Sequence, residues 1–199
     1  MKLVLATQNP KKLKEMNEIL SHLGVEVVSE AELGVRIEVE ETGETFTDNA
    51  RLKATAVMQA TGLPAVADDS GLEVDALGGA PGIYSARYTG NHEYTDTDRL
   101  NLVLKNLGST EHRTARFVSC ISCTFPNGDR IDTRGTCEGT IQYGPTGENG
   151  FGYDPIFRPD GYDCSMAELA PEQKNAISHR GHSLNKFYEE LREYLNAHK

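Results

Sequence analysis

The sequence predicts an α/β fold, a mixed β-sheet flanked by helices. Three observations carry this. The chain opens as strand, turn, helix, strand over residues 3–28. A second helix followed by a strand occupies residues 45–67. Two long segments, 113–125 and 130–143, are joined by Pro126-Asn-Gly-Asp129, and Asn-Gly between such runs signals a hairpin. Helices alternating with strands, plus one long hairpin, imply a mixed sheet.

Leu3-Val-Leu-Ala6 reads as a buried strand that starts the fold, and Thr7-Gln-Asn-Pro10 breaks it. Asn9 suits a helix N-cap and Pro10 the first helical position, where a missing N–H costs nothing. The helix runs to about His22, with Leu13, Met16, Ile19, Leu20 and Leu23 at helical spacing, and Gly24 stops it. Val25-Glu-Val-Val28 is the next strand, and Glu38-Val-Glu-Glu41 ends a further short strand-like run. Thr45 through Thr61 is the second helix, with Phe46, Ala50, Leu52, Ala54, Val57 and Ala60 among its apolar positions. Thr45 or Thr47 caps it and Gly62 ends it. The strand from Leu63 to Ala67 is expected to stop at Asp68-Asp-Ser-Gly71, with Leu72–Leu77 a short continuation beyond that break. Gly78–Tyr84 is a Gly/Pro loop, too short for a linker and suited to an ordered loop near a site. A helix from about Tyr94 to Leu107 precedes the hairpin strands. Gly144–Gly152 is again glycine-rich, and the last helix runs from about Ser183 to Ala197. Without internal repeats, residues 1–199 read as one domain, or two intimate lobes.

Composition excludes some classes of partner. The formal net charge is -10. Nucleic acid and anionic membranes call for a basic footprint, so neither is expected as a partner. One small anionic ligand remains compatible. Cys120 and Cys123 are spaced C-x-x-C but lie in an alternating strand, which puts their thiols on opposite faces. With no second such pair, they read as packing cysteines rather than a zinc site. The N-terminal Met1-Lys-Leu-Val-Leu-Ala is too short for a signal h-region, and no apolar run approaches membrane-spanning length. A soluble, reduced, cytoplasmic protein is the expectation.

The chemistry concentrates in a few short motifs. Asp68-Asp69 follow an apolar strand, and Glu40-Glu41 offer a second acidic pair; the pattern does not separate Glu40 from Glu41. Such carboxylates hold one magnesium ion together with substrate phosphates, or take a proton from an attacking water. Acidic surface at strand ends is the bland alternative. Thr7-x-Asn9-x-x-Lys12 sits at a helix start, where free N–H groups attract phosphate; it also suits an ordinary cap. Lys53 on its own reads as a solvated helical lysine. Gly150-Phe-Gly-Tyr-Asp-Pro155 lets backbone and an aromatic ring approach a flat ligand, or else forms a tight turn. Lys174, His179 and Arg180 supply donors for a base carbonyl or for phosphate.

Together these residues resemble the inosine/xanthosine triphosphate pyrophosphatase family. The resemblance rests on Leu5-Ala-Thr-x-Asn9-x-x-Lys12, Glu41-Thr-Gly43, Asn49-Ala50 with Lys53-Ala54, and Ala67-Asp-Asp-Ser-Gly71. It continues through Gly79-Ala-Pro-Gly-Ile-Tyr-Ser-Ala-Arg-Tyr88, Gly150–Pro155, and Lys174 with Ile177-Ser-His-Arg-Gly181. These motifs stand in the family's order and cover nearly the whole chain. Lys11 departs from the pattern, since many members have glycine there.

The resemblance implies an elongated mixed sheet between two α/β lobes, with the site in the cleft. It implies magnesium-dependent hydrolysis of ITP, dITP and XTP to monophosphate and pyrophosphate by a cytoplasmic homodimer. Residue by residue, the turn Thr7, Gln8, Asn9, Pro10, Lys11 and Lys12 binds substrate. Thr7, Asn9 and Lys12 take the phosphates, with Lys53 nearby. Asp69 is the general base and a metal ligand, and Glu41 assists the metal. Ser70 touches substrate. Phe151 stacks on the base, with Gly152, Tyr153 and Asp154 closing that loop, while Lys174, His179 and Arg180 hold the base and its neighbouring groups. Two rival readings make the site an aspartyl-phosphate phosphatase or a nucleotide sensor that binds without turnover.

Overall fold

The computed structural model describes residues 1–7, 9–90 and 94–198, with Pro10 and Lys11 described by backbone alone. In chain order the strands are β1 (Lys2–Leu5), β2 (Glu26–Ser29), β3 (Ala65–Val74), β4 (Thr114–Thr124), β5 (Arg130–Ile141) and β6 (Phe157–Pro159). The helices are α1 (Pro10–Leu20), α2 (Phe46–Thr61), α3 (Asp96–Leu107), α4 (Pro171–Ile177) and α5 (His179–Ala197). The six strands form one sheet in the order β2-β1-β3-β4-β5-β6. β1 runs parallel to both β2 and β3, and β5 is antiparallel to β6. Both kinds of pairing occur, so the sheet is mixed as expected. At the β4–β5 turn the Phe125 N–H donates to the Asp129 carbonyl at 3.0 Å.

The chain packs as two units. The first comprises Met1–Asp69, Cys120–Arg134 and Ser183–Lys199; the second comprises Ser70–Ser119 and Gly135–His182. In the first unit the two-residue period of the strands sorts side chains onto two faces. Leu3, Leu5 and Val66 pack with Met16 and Leu20 of α1 and with Leu184, Phe187 and Leu191 of α5. Val4, Val28 and Ala65 turn the other way, onto Val57 of α2. The N-terminus of α2 is closed by a capping box: the Asp48 N–H donates to Thr45 Oγ1, and the Thr45 N–H donates back to the Asp48 carboxylate. Such a cap stabilises a helix by about 1 kcal/mol. In the second unit, Leu72, Val74, Ala115 and Phe117 pack with Leu100, Val103 and Leu107 of α3 and with Ile156, Phe157 and Met166.

Four expectations need correction. β3 does not stop at the acidic pair; it runs through Asp68, Asp69, Ser70 and Gly71 to Val74. Polar residues end a strand only when nothing satisfies them, and here each aspartate has a cation. The run ending at Glu41 is irregular rather than a strand. α3 begins at Asp96, behind the cap Thr95, two residues later than expected. α5 begins at His179, four residues earlier than expected, because the Ser178 hydroxyl accepts the Gly181 N–H at 3.0 Å and the Ser178 carbonyl accepts that of His182. Gly181 is no breaker there. A Cβ on it would lie 2.7 Å from the Asn175 carbonyl oxygen, so the glycine permits a close approach.

Cys120 and Cys123 are packed in the interior, as expected. Cys120, Cys123 and Cys137 are buried free thiols, and Cys164 is partly exposed. No helix among the described residues is long and apolar enough to cross a membrane.

Candidate active site

In the first unit, β3 presents two carboxylates to opposite faces. Asp68 shares the parity of Val66, on the α1 side, and Asp69 that of Ala65, on the α2 side. Each meets the lysine of its own helix. Lys12 Nζ of α1 donates to Asp68 Oδ2 at 2.6 Å. Lys53 Nζ of α2 donates to Glu41 Oε1 at 2.8 Å and lies 3.6 Å from Asp69 Oδ1. Lys53 is therefore not the solvated helical lysine its local sequence suggests; its side chain is only 21% exposed. Glu41 and Asp69 converge on a single cationic position, and Glu41 rather than Glu40 reaches it.

Burial pushes the Asp69 pKa above its ordinary value. The Lys53 ammonium opposes that, Glu41 adds to it, the Asn49 hydrogen bond opposes it and Asp68 adds to it. For Lys53, burial works against the charge, but Asp69, the hydrogen bond to Glu41 and the further charges outweigh it and hold its pKa high. The pair is lopsided. The lysine stays firmly charged, whereas Asp69, crowded by two other carboxylates, is a better proton acceptor than an ordinary aspartate. A carboxylate so placed suits a general base.

β1 carries the turn into α1 to the same level. Leu5 lies beside Val66, and the Ala6 N–H donates to the Val66 carbonyl at 2.9 Å. Continued in parallel register, Thr7 comes level with Asp68. Thr7 Oγ1 accepts the Asn9 N–H at 3.2 Å, and the Asn9 carbonyl accepts that of Leu13. Asn9 thus precedes the helix as expected. Gln8 lies outside the described residues, as do the side chains of Pro10 and Lys11. Ser70 follows on β3 and is half-buried.

In the second unit, Asp154 is the hub of another group. It is 4% exposed. Its Oδ2 accepts from Lys174 Nζ at 2.5 Å and from the Phe151 N–H at 2.9 Å. Lys174 Nζ also lies 4.7 Å from the centre of the Phe151 ring. That ring is 65% exposed, an unusual position for a large apolar side chain and the one a stacking platform needs. Gly150 has φ +85°, and a Cβ on it would sit 2.2 Å from Asp154 Oδ2, so only glycine fits. The Tyr153 hydroxyl donates to the buried Ser85 carbonyl at 2.7 Å, and the Gly152 N–H donates to Asp96 Oδ2 at 2.8 Å. His179 and Arg180 are the first two residues of α5. The His179 ring stacks on Phe117 at 5.0 Å.

Comparison with known proteins places the chain in a family. The model of the Ham1 family matches residues 3–190. The chain belongs to the Ham1 family. It is 47% identical to a dITP/XTP pyrophosphatase of Exiguobacterium sp., over 99% of this chain and 100% of that one. It is 50% identical to a dITP/XTP pyrophosphatase of Desulforamulus reducens, over 96% of each. Among solved structures, a HAM1 protein from Coxiella burnetii superposes with a TM-score of 0.92 at 43% identity, covering 97% of this chain and 99% of that one.

Two residues that motif reading left unassigned contact these groups, one in each unit. Asn49 is fully buried beneath Asp69. Its Nδ2 donates to Asp69 Oδ2 at 3.3 Å, and its Oδ1 accepts the Gly43 N–H at 2.8 Å. It orients the carboxylate and ties down the segment that carries Glu41. A polar residue amid the apolar positions of a helix was the available signal. Asp96 had no signal, since an aspartate in the first turn of a helix is ordinary.

Proposed function

We propose that this chain hydrolyses non-standard purine nucleoside triphosphates, namely ITP, dITP and XTP, to the monophosphate and pyrophosphate. As a nucleoside triphosphate pyrophosphatase it would clear such nucleotides from the pool, acting as a cytoplasmic homodimer. The observation that carries the reading is Lys53 held jointly by Glu41 and Asp69. Two carboxylates that already converge on one cation are the donor set magnesium takes when phosphates and water complete its shell. Among the described residues no three acidic, histidine or cysteine side chains form a ready-made cage, which fits an ion shared with substrate. Glu41 and Asp69 would hold it, and when bound it would neutralise charge developing on the leaving pyrophosphate.

The protein's own groups do the rest. Asp69, raised in pKa and oriented by Asn49, takes the proton from the attacking water. Lys12 and Lys53, with Thr7, Asn9 and the start of α1, receive the phosphates. In the second unit, Phe151 offers its face to the base, with Lys174 behind the ring. His179 and Arg180 bring donors suited to the oxygen at purine position 6, where adenine carries an amine. A buried donor left without its acceptor costs about 1–3 kcal/mol, which favours hypoxanthine and xanthine over adenine.

Product analysis tests the reading. Protein with magnesium is incubated separately with ITP, XTP, GTP and ATP, and pyrophosphate is assayed against orthophosphate. Monophosphate and pyrophosphate from ITP and XTP, with ATP largely untouched, support it. Diphosphate and orthophosphate move the cut to the γ phosphorus and refute it. In the same assay Asp69→Asn is expected to fold and to lose turnover by about 10²–10⁴-fold; full activity would remove Asp69 as the base.

A further inference from the structure

An aromatic platform is only as well aimed as the backbone beneath it. Phe151 stands between Gly150 and Gly152, both at positive φ, so neither neighbour has a side chain to anchor the loop. Two carboxylates supply that anchorage. The peptide before Phe151 is held through its N–H by Asp154, and the peptide after it is held through the Gly152 N–H by Asp96. Peptide planes are rigid, so pinning the plane on each side sets φ and ψ of the residue between.

Asp96 is itself held in place. It opens α3, where a carboxylate also meets the partial positive end of the helix. Its Oδ1 pairs with Arg99 one turn later, and Arg99 Nη1 donates to the Tyr94 carbonyl at 2.9 Å. The carboxylate that reaches Gly152 is thus oriented before any ligand arrives. Asp154 and Asp96 are not redundant, because they clamp different peptides.

We propose that Asp96 is a positioning residue for the purine base: by holding the Gly152 N–H it keeps the Phe151 ring at the attitude on which a flat base stacks. It acts through the loop and does not touch substrate. The proposal rests on Phe151 being the base platform. It separates from a general structural role because it acts on base capture and leaves the phosphate chemistry of the first unit alone.

Two measurements test it. With ITP as substrate, Asp96→Ala raises KM by about ten-fold and leaves kcat within about two-fold, which is the low end of what a lost hydrogen bond to a charged acceptor is worth. Asp96→Asn recovers most of the loss, because its amide oxygen still accepts the Gly152 N–H. Arg99→Met keeps that bond but frees the carboxylate, giving a smaller rise in KM. The second readout needs no turnover. The chain contains no tryptophan, so Phe151→Trp is a single reporter of the loop. In that background Asp96→Ala raises acrylamide quenching and lowers anisotropy of the nucleotide-free protein. Unchanged KM and quenching, in a parent that does hydrolyse ITP, overturn the proposal and leave the functional reading standing. Equal losses in kcat for the Ala and Asn variants, with a lowered melting temperature, also overturn it as a purely structural effect. A parent without ITP turnover overturns the functional reading, and the proposal with it.

Discussion

Replacing Lys53 by methionine isolates the electrostatic centre of the first unit, because methionine keeps most of the stem and removes the charge. The ammonium lies 2.8 Å from Glu41 and 3.6 Å from Asp69. A unit pair at such distances attracts by about 5–6 kcal/mol at an effective dielectric of ~20 and about 1–1.5 kcal/mol in water. The cost of partly desolvating three charges offsets much of this. A net loss of about 2 kcal/mol is expected, because the variant leaves two carboxylates facing each other without a cation. For a chain of this size that lowers the melting temperature by roughly 4–8 °C.

The assay is thermal unfolding in EDTA and in excess magnesium. In EDTA Lys53→Met melts early. Magnesium, free of a competing ammonium, raises its melting temperature more than that of the parent. The alkaline limb gives an independent check. The folded pKa of Lys53 lies above its ordinary value of 10.5, so its stabilisation is complete below that pH and is lost as pH rises through the higher folded value. The variant lacks this component of alkaline destabilisation. A variant that melts within ~1 °C of the parent in EDTA, and gains nothing extra from magnesium, refutes the picture of one cation held by both carboxylates.

Three other outcomes follow from the geometry. Phe151→Ala removes the exposed platform and raises KM for ITP by about 10–100-fold, in keeping with about 1–3 kcal/mol for a base on an aromatic ring; steady-state kinetics check it. Gly150→Ala drives a Cβ into Asp154 Oδ2 at a positive φ, and destabilisation of about 2 kcal/mol with weakened base capture is expected from denaturant unfolding and KM. Titration of native protein with a thiol reagent modifies Cys164 first. Cys120 and Cys123 stay silent until unfolding, and Cys137, buried and pushed up to about 11, reacts slowly at most.

Much of this was legible in the sequence because periodicity and caps are local. The apolar positions of α1 and α2, the Thr45 cap and the Asn-Gly hairpin all stand where their residue types direct. The structure brings Glu41, Lys53 and Asp69 together in one unit, and Phe151, Asp154 and Lys174 in the other. What local reading missed depends on partners distant in the chain. Asp68 and Asp69 look like a strand end only until Lys12 and Lys53 arrive from two different helices. Nothing in the sequence around Gly181 shows that the Asn175 carbonyl lies against it. Asp96 looks like a helix-start acid, and nothing within its own helix reveals that Gly152 lies against it.

The way the chain is shared between its units governs how this enzyme comes into being. The first unit is assembled from three separate stretches, and its core is closed by Leu184, Phe187 and Leu191 of α5. A ribosome will have emitted Thr7, Glu41, Lys53 and Asp69 long before those three residues exist. The group around Lys53 therefore cannot mature during synthesis, however early its own residues appear. No single cut can release either unit whole, since each is interrupted by the other. A truncation that removes Leu184, Phe187 and Leu191 reaches Asp69 and Lys53 through the core rather than through contact.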